Sequence, residues 1–100
     1  MTSKQRSYLK SLAVNLETIF QIGKGGVSEE MCAQLLNALN ARELIKVKVL
    51  ETAPSSAREI SEQISKKIGA VVVQVIGTKI VFYRVSDTEK NRKIDITKIK

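Results

Sequence analysis

A small α/β domain is the fold that this sequence predicts, and three observations predict it. Segments with helical spacing of apolar residues alternate with short β-rich runs in the order α-β-α-β-α-β-β. The last two runs flank Gly77-Thr78, a two-residue loop typical of a type II′ hairpin turn. The length of 100 residues suits one domain with its own core. We therefore expect a single two-layer domain with a small mixed four-stranded sheet, parallel where a helix joins two strands and antiparallel in the hairpin.

The helices are predicted by apolar positions three or four residues apart and by residues suited to helix ends. Thr2 or Ser3 can cap the first helix, and Ser28 can cap the second. Ser56 and Glu59 have the spacing of a capping box for the third helix, which Gly69 is placed to end in a left-handed conformation. The expected segments are Ser3–Asn15, Ser28–Ala41 and Ser56–Gly69.

The strands are predicted by runs of β-branched and aromatic residues between these helices. The second run is the clearest, because Ile45, Val47 and Val49 alternate with two lysines. The expected strands are Thr18–Ile22, Glu43–Leu50, Val71–Ile76 and Lys79–Val85. Beyond residue 85 the sequence is polar and basic, so we divide it into a domain at 1–85 and a tail at 86–100. A frayed tail and a short strand through Ile94, Ile96 and Ile99 are both compatible with that composition.

The charge balance indicates an acidic partner. Seventeen Lys and Arg residues against ten Asp and Glu give a net charge of +7 and an isoelectric point near 9.8. A small domain with this excess favours a polyanion such as nucleic acid, although a basic surface can also serve solubility alone.

The residue types that are missing exclude several kinds of site. The chain has no histidine, and Cys32 is its one cysteine, which excludes zinc sites, disulfide frameworks and histidine-based catalysis. We expect Cys32 to pack as a small apolar residue, with no metal, no cofactor and no catalytic residues. The longest apolar run, Ala70 to Val73, is too short to cross a bilayer. A cytoplasmic location without a membrane partner is therefore expected.

Gly23-Lys24-Gly25-Gly26 is the candidate binding motif, because it joins an apolar strand to the start of a helix. Helix N-termini attract anions, and glycine allows close approach to the backbone. The tetrad is neither a P-loop, since Val27 follows Gly26, nor a dinucleotide fingerprint, since Ser28 stands where glycine would be needed. It does satisfy G-x-x-G, the pattern of the loop that clamps a nucleic-acid backbone in KH domains. A connection that needs glycine only for a tight turn is the alternative.

Other basic residues fall on predicted faces of the fold. Arg6 and Lys10 are neighbours on the first helix, with Lys4 one turn earlier. Lys46 and Lys48 alternate with apolar residues and therefore share one face of their strand. Each set could contact phosphate or could be an ordinary solvated face, and the sequence leaves both open.

Several motifs in order resemble the CRM domain family (chloroplast RNA splicing and ribosome maturation), closest to its stand-alone bacterial, YhbY-like form. They cover roughly residues 2 to 85. One departure is visible, because many family members have histidine where this chain has Val14. The segments that carry the resemblance are Lys4-Gln5-Arg6, Tyr8-Leu9, Ser11-Leu12-Ala13, Gln21 to Gly26, Glu43 to Val47, Val73 to Gly77 and Tyr83-Arg84.

The resemblance implies an RNA-binding domain, with a fold similar to the C-terminal domain of a translation initiation factor and no enzymatic activity. It also implies association with precursors of the large ribosomal subunit, and thus large-subunit rRNA as the partner. We expect a monomer that takes no small-molecule substrate and recognises RNA backbone and shape more than sequence. The alternative is a protein-interaction module that docks on a ribosomal protein, its charge serving solubility. The expected RNA-binding residues are Gly23, Lys24, Gly25, Gly26, Lys4, Arg6, Lys10, Lys46, Lys48 and Arg84.

Overall fold

The computed structural model describes residues 1–92 and Ile94, and in them it confirms the mixed α/β fold. Three helices and four strands follow the predicted order, and a 3-10 turn follows the last strand. The elements are α1 Ser3–Ala13, β1 Thr18–Ile22, α2 Glu29–Arg42, β2 Leu44–Val49, α3 Ala57–Ile68, β3 Val71–Ile76, β4 Lys79–Tyr83 and the 3-10 turn Glu89–Asn91.

The four strands form one mixed sheet in the order β1-β2-β4-β3. Strands β1 and β2 are parallel, and β4 is antiparallel to both of its neighbours. The hairpin forms around the predicted turn, with Gly77 at a φ of 57°, but its second strand ends at Tyr83 and not at Val85. A positive φ is what the first central position of a type II′ turn requires. The position of β4 between β2 and β3 was not part of the prediction.

Both faces of the sheet are covered, so the helices form two layers where one was expected. Helices α2 and α3 pack on one face around Ile45, Val47 and Phe82, all of which are buried. Helix α1 packs on the opposite face through Leu9 and Ala13, over apolar side chains of β2, β3 and β4. Side chains along each strand therefore alternate between two cores. Helix α1 leaves one end of its face of the sheet uncovered, and lysine side chains can lie there in contact with solvent.

The helix ends follow local capping rules. Thr2 and Gln5 form a reciprocal capping box at α1, with hydrogen bonds of 2.9 and 3.1 Å. The hydroxyl oxygens of Ser28 and Ser56 accept backbone N–H groups at the starts of α2 and α3. Gly69 ends α3 with φ 65°. The predicted ends of these helices are therefore right to within two residues.

The second strand begins at Leu44, one residue later than predicted, because Glu43 belongs to the end of α2. Glu43 is the C-cap of α2, with the left-handed φ of 65°, and its N–H donates to Leu39 O at 2.7 Å. Glycine is the usual residue in this conformation, and a side chain there costs about 1–2 kcal/mol. The Glu43 carboxylate compensates by binding the chain beyond β4. It accepts the N–H groups of Ser86 and Ile94 at 2.9 and 3.1 Å.

The described part of the C-terminal segment lies against the end of α2. The main-chain carbonyl of Asn40 accepts the Ser86 hydroxyl and the side-chain amide of Asn91. Ile94 is partly buried against the α1 core and lies outside any strand. Ile96 and Ile99, the rest of the strand that the sequence left open, lie outside the described residues.

Candidate nucleic-acid interface

Gly23–Gly26 forms a closed β-turn at the carboxyl end of β1. The N–H of Gly26 donates to the carbonyl of Gly23 at 2.9 Å, which makes Lys24 and Gly25 the two central residues. Both central residues are exposed, whereas Gly26 is buried. The turn therefore presents one cation beside a backbone segment without a side chain, at the tip of the strand.

The glycines of this turn differ in whether a side chain would fit at their position. Gly26 has φ +62°, and a Cβ there would lie 2.9 Å from Pro54 Cγ. A Cβ on Gly23 would lie 3.3 Å from Thr52 Oγ1, whereas one on Gly25 would meet nothing within 4 Å. At Gly23 and Gly26 a side chain would therefore crowd the loop before α3. The structure of the connection itself accounts for glycine at these two positions, as the alternative to RNA binding proposes. Gly25 has no such packing requirement, so its openness is available to a ligand.

The sheet register places the hairpin loop and the loop after β2 beside this turn. Ile22, the last residue of β1, pairs with Val49, and the N–H of Val49 donates to Thr78 O at 2.7 Å. The N–H of Leu50 donates to Ile22 O at 2.8 Å. The glycine turn, the hairpin loop and the loop after β2 therefore lie at one end of the sheet.

Lysines share the α1 face of the sheet near this end. Lys46 and Lys48 point to that face because the residues between and beside them, Val47 and Val49, belong to the opposite core. Lys79 joins them, since it is the antiparallel partner of Lys48. Among residues 1–92 and 94, no salt bridge to these lysines is found. We call Lys10, Lys46, Lys48 and Lys79 the basic face.

A groove of about 280 Å³ runs between α1 and the hairpin on this face. Three lysines of the basic face line it, and none of its described lining residues is acidic. Val14, where the chain departs from the family pattern, is on its rim and 73% exposed. The lining residues are Lys10, Ala13, Val14, Lys46, Gln74, Ile76, Lys79 and Val81. Sequence reasoning missed Lys79 and Gln74, and only the strand register could have indicated them.

Arg6 lies on α1, but its guanidinium is turned toward the edge of the sheet. Its Nη1 donates to the carbonyls of Val72 and Val73 at 2.7 and 3.2 Å, where the register of β3 shifts. Lys4 is exposed in the first turn of α1, about 9 Å along the helix axis from Lys10. The structure therefore brings Lys10 to the basic face and leaves the other two outside it.

Arg84 lies at the far end of the sheet from the glycine turn, just beyond β4. Its Nε donates to Ile68 O at 3.1 Å, and its Nη1 donates to Asn40 Oδ1 at 3.2 Å. It also forms an ion pair with Asp87 at 3.3 Å. These contacts join the ends of α2, α3 and β4, so this guanidinium is already occupied within the protein.

The described part of the chain offers neither a metal site nor a membrane-spanning helix. No group of three His, Cys, Asp or Glu residues there could hold a metal ion. None of its helices is long and apolar enough to cross a membrane. Cys32 is buried in the core shared by α2 and α3, as its sequence position predicted.

Comparison with known proteins decides the family. The sequence model of the CRS1 / YhbY (CRM) domain matches residues 1–84. The chain belongs to the CRM domain family. This confirms the family that the sequence motifs predicted. The glycine turn and the basic face both lie within the matched residues.

Three relatives of this CRM domain are small proteins of similar length. It is 41% identical to "Probable RNA-binding protein YqeI" of Bacillus subtilis, over 96% of this chain and 98% of the relative. An "RNA-binding protein" of Haemophilus influenzae is 38% identical over 90% and 91% of the two chains. The solution structure of the hypothetical protein SAV1595 from Staphylococcus aureus is 45% identical, with a TM-score of 0.76 over 95% and 99% of the chains. These three relatives are thus stand-alone bacterial proteins, and none of them is named as an enzyme.

Proposed function

We propose that this CRM domain binds the RNA backbone and acts, without catalysis, as a monomeric accessory factor in assembly of the large ribosomal subunit in the cytoplasm. The observation that carries the RNA interaction is the exposed tip of the glycine turn, with Lys24 beside an unobstructed Gly25. The names of the Bacillus and Haemophilus relatives support RNA as the ligand. The ribosomal role rests on the family resemblance.

The turn suits a phosphate group for two reasons. The Lys24 ammonium is solvent-exposed at the tip, so it can pair with phosphate without breaking an internal contact. The Gly25 backbone is open on the side where a side chain would stand, so a phosphate can approach the main chain closely. Lys48 and Lys46 extend the cationic surface from the turn across the sheet. Arg6, Arg84 and the distant Lys4 are not needed for this path.

Replacement of Lys24 by Glu tests the proposal. RNA binding is measured across a salt series with an rRNA fragment, and the variant should bind more weakly and with a shallower salt dependence. Loss of one phosphate contact reduces the slope of log K against log salt by about 0.7–0.9. Lys66→Glu is the matched control, because this exposed lysine lies near the end of α3, on the other side of the sheet. If Lys24→Glu binds like wild type while folded, the glycine turn is not the RNA site.

The identity of the RNA is tested in cells. Crosslinking followed by sequencing should recover large-subunit rRNA or its precursor, and recovery of unrelated RNA alone would refute the assembly role. Pull-down from nuclease-treated lysate separates this proposal from docking on a ribosomal protein. A protein partner survives the nuclease, whereas a partner held through RNA is lost.

A further inference from the structure

We propose that the groove between α1 and the hairpin binds one unpaired nucleotide, with its phosphate between Lys48 and Lys79 and its base on the apolar floor. This inference rests on the proposed RNA binding and extends it to a second subsite. It makes the ligand a single strand that runs from the glycine turn across the sheet toward α1.

The lysine pair supplies the first reason. Lys48 and Lys79 are direct antiparallel partners on adjacent strands, where side chains on one face stand about 4.5–5.5 Å apart at Cβ. Like charges in that relation destabilise a sheet. The parallel partner of Lys48 on its other side is Gln21, which is neutral. A phosphate between the two ammonium groups would remove the repulsion, so the free protein is arranged for an anion.

The lining of the groove supplies the second reason. Its floor is made by Ala13 and Val81, and its rim by Val14 and Ile76, which are 73% and 58% exposed. Gln74 contributes a neutral amide that can donate to and accept from a base edge. The volume of about 280 Å³ suits one planar group. Cations beside an apolar surface and one amide match a nucleotide better than a bare phosphate.

Continuity with the glycine turn supplies the third reason. Gln21 pairs with Lys48, and Ile22 and then the turn follow it directly. Lys48 and Lys79 are thus the lysines of the basic face that lie nearest the turn. Lys46 and Lys10 lie farther from it, toward α1. In a duplex the bases are stacked inside, whereas in a single strand they can be splayed into a pocket. The occupant is therefore an unpaired segment of RNA.

The test uses the full chain labelled with ¹⁵N and titrated with a single-stranded uridine pentanucleotide, an RNA duplex of the same length and inorganic phosphate. We expect the pentanucleotide to shift the amides of Val14, Gln74 and Lys79, and phosphate to shift only those of Lys48 and Lys79. The duplex should leave the amides at Val14 and Gln74 unmoved. Absence of groove shifts with the pentanucleotide, or equal shifts with the duplex, would overturn the assignment.

Two substitutions separate the phosphate from the base. Lys79→Gln should weaken pentanucleotide binding roughly fivefold and lower the salt slope by about 0.7, as expected for one phosphate contact. Ile76→Thr should weaken binding with an unchanged salt slope, since no charge is lost. Lys66→Gln and Val85→Thr are the matched exposed controls away from the groove.

The outcomes also distinguish the two proposals. If Lys24→Glu impairs binding while Lys79→Gln and Ile76→Thr do not, the glycine turn stands and the nucleotide subsite is refuted. If none of the three impairs binding, both are refuted. If Lys79→Gln and Ile76→Thr impair binding while Lys24→Glu does not, the subsite stands without the glycine turn.

Discussion

The carboxylate of Glu43 accepts the backbone N–H of Ser86 at 2.9 Å, which ties the end of α2 to the chain beyond β4. Glu43 is fully buried and has φ 65°, so an unfavourable backbone conformation and a buried acid occur at one residue. Its second carboxylate oxygen accepts the N–H of Ile94 at 3.1 Å. The segment after the sheet is therefore held by an acceptor that α2 positions.

Substitutions of Glu43 should separate its side chain from its backbone. Glu43→Ala removes the acceptor and leaves the buried Ser86 amide unpaired, which should cost about 1–3 kcal/mol of unfolding free energy. Glu43→Gly loses the same acceptor but relieves the left-handed backbone, so it should be about 1 kcal/mol more stable than the alanine variant. Urea unfolding measures both. Equal stability of the two variants would show that the backbone is not strained.

The glycine turn should respond differently at its two adjacent glycines. Gly26→Ala combines a left-handed backbone with a 2.9 Å contact to Pro54 Cγ and should lose about 2 kcal/mol. Gly25→Ala meets no atom within 4 Å and should stay within about 0.5 kcal/mol of wild type. Gly25→Asp should weaken RNA binding with little change in thermal midpoint. A large stability loss in Gly25→Asp would support a turn-forming role alone.

Arg6 should act on stability, in contrast to its exposed neighbour Lys4. Arg6→Ala removes the charged donor to Val72 and Val73 and should cost about 1–3 kcal/mol. Lys4→Ala should be nearly neutral. Thermal unfolding of the two variants is the measurement. An Arg6→Ala protein with wild-type stability and weaker RNA binding would instead make Arg6 an RNA contact.

The contacts of Arg84 should be unequal in strength. Arg84→Ala removes donors to Ile68 O and Asn40 Oδ1 and should cost about 1–3 kcal/mol. Asp87→Ala breaks an ion pair whose acid is 65% exposed, and such pairs contribute about 0–1 kcal/mol. Chemical denaturation of both variants compares them. Similar losses in the two would show that the ion pair, and not the carbonyl and amide contacts, holds this corner.

The sequence predicted those parts of the fold that local chemistry determines. Ser28 and Ser56 start helices because a hydroxyl binds the next orphan amides, and Gly69 ends one because it accepts a positive φ. The sequence predicts a strand from Glu43, because nothing local marks a non-glycine residue for the left-handed conformation that it adopts. The order of strands and the separate face of α1 depend on contacts between distant segments, which a single sequence does not display.

In the candidate site, too, the sequence predicted the local features and missed those that depend on contacts between distant segments. The glycine turn is contiguous, and alternation alone put Lys46 and Lys48 on one face. Lys79 stands in a hairpin run without a basic pattern, and its relation to Lys48 exists only through the register of β2 with β4. The bonds of Arg6 and Arg84 reach residues 66 and 16 positions away, so the sequence showed these arginines only as charges.

The interior position of β4 has a consequence for synthesis of the protein. This last strand of the sheet separates β2 from β3 and brings Ile80 and Phe82 into the main core. A nascent chain that has emerged only as far as β3 has no native neighbour for that strand, and the α1 core still lacks Val81 and Tyr83. Folding of the complete domain must therefore wait until residue 83 has left the ribosome.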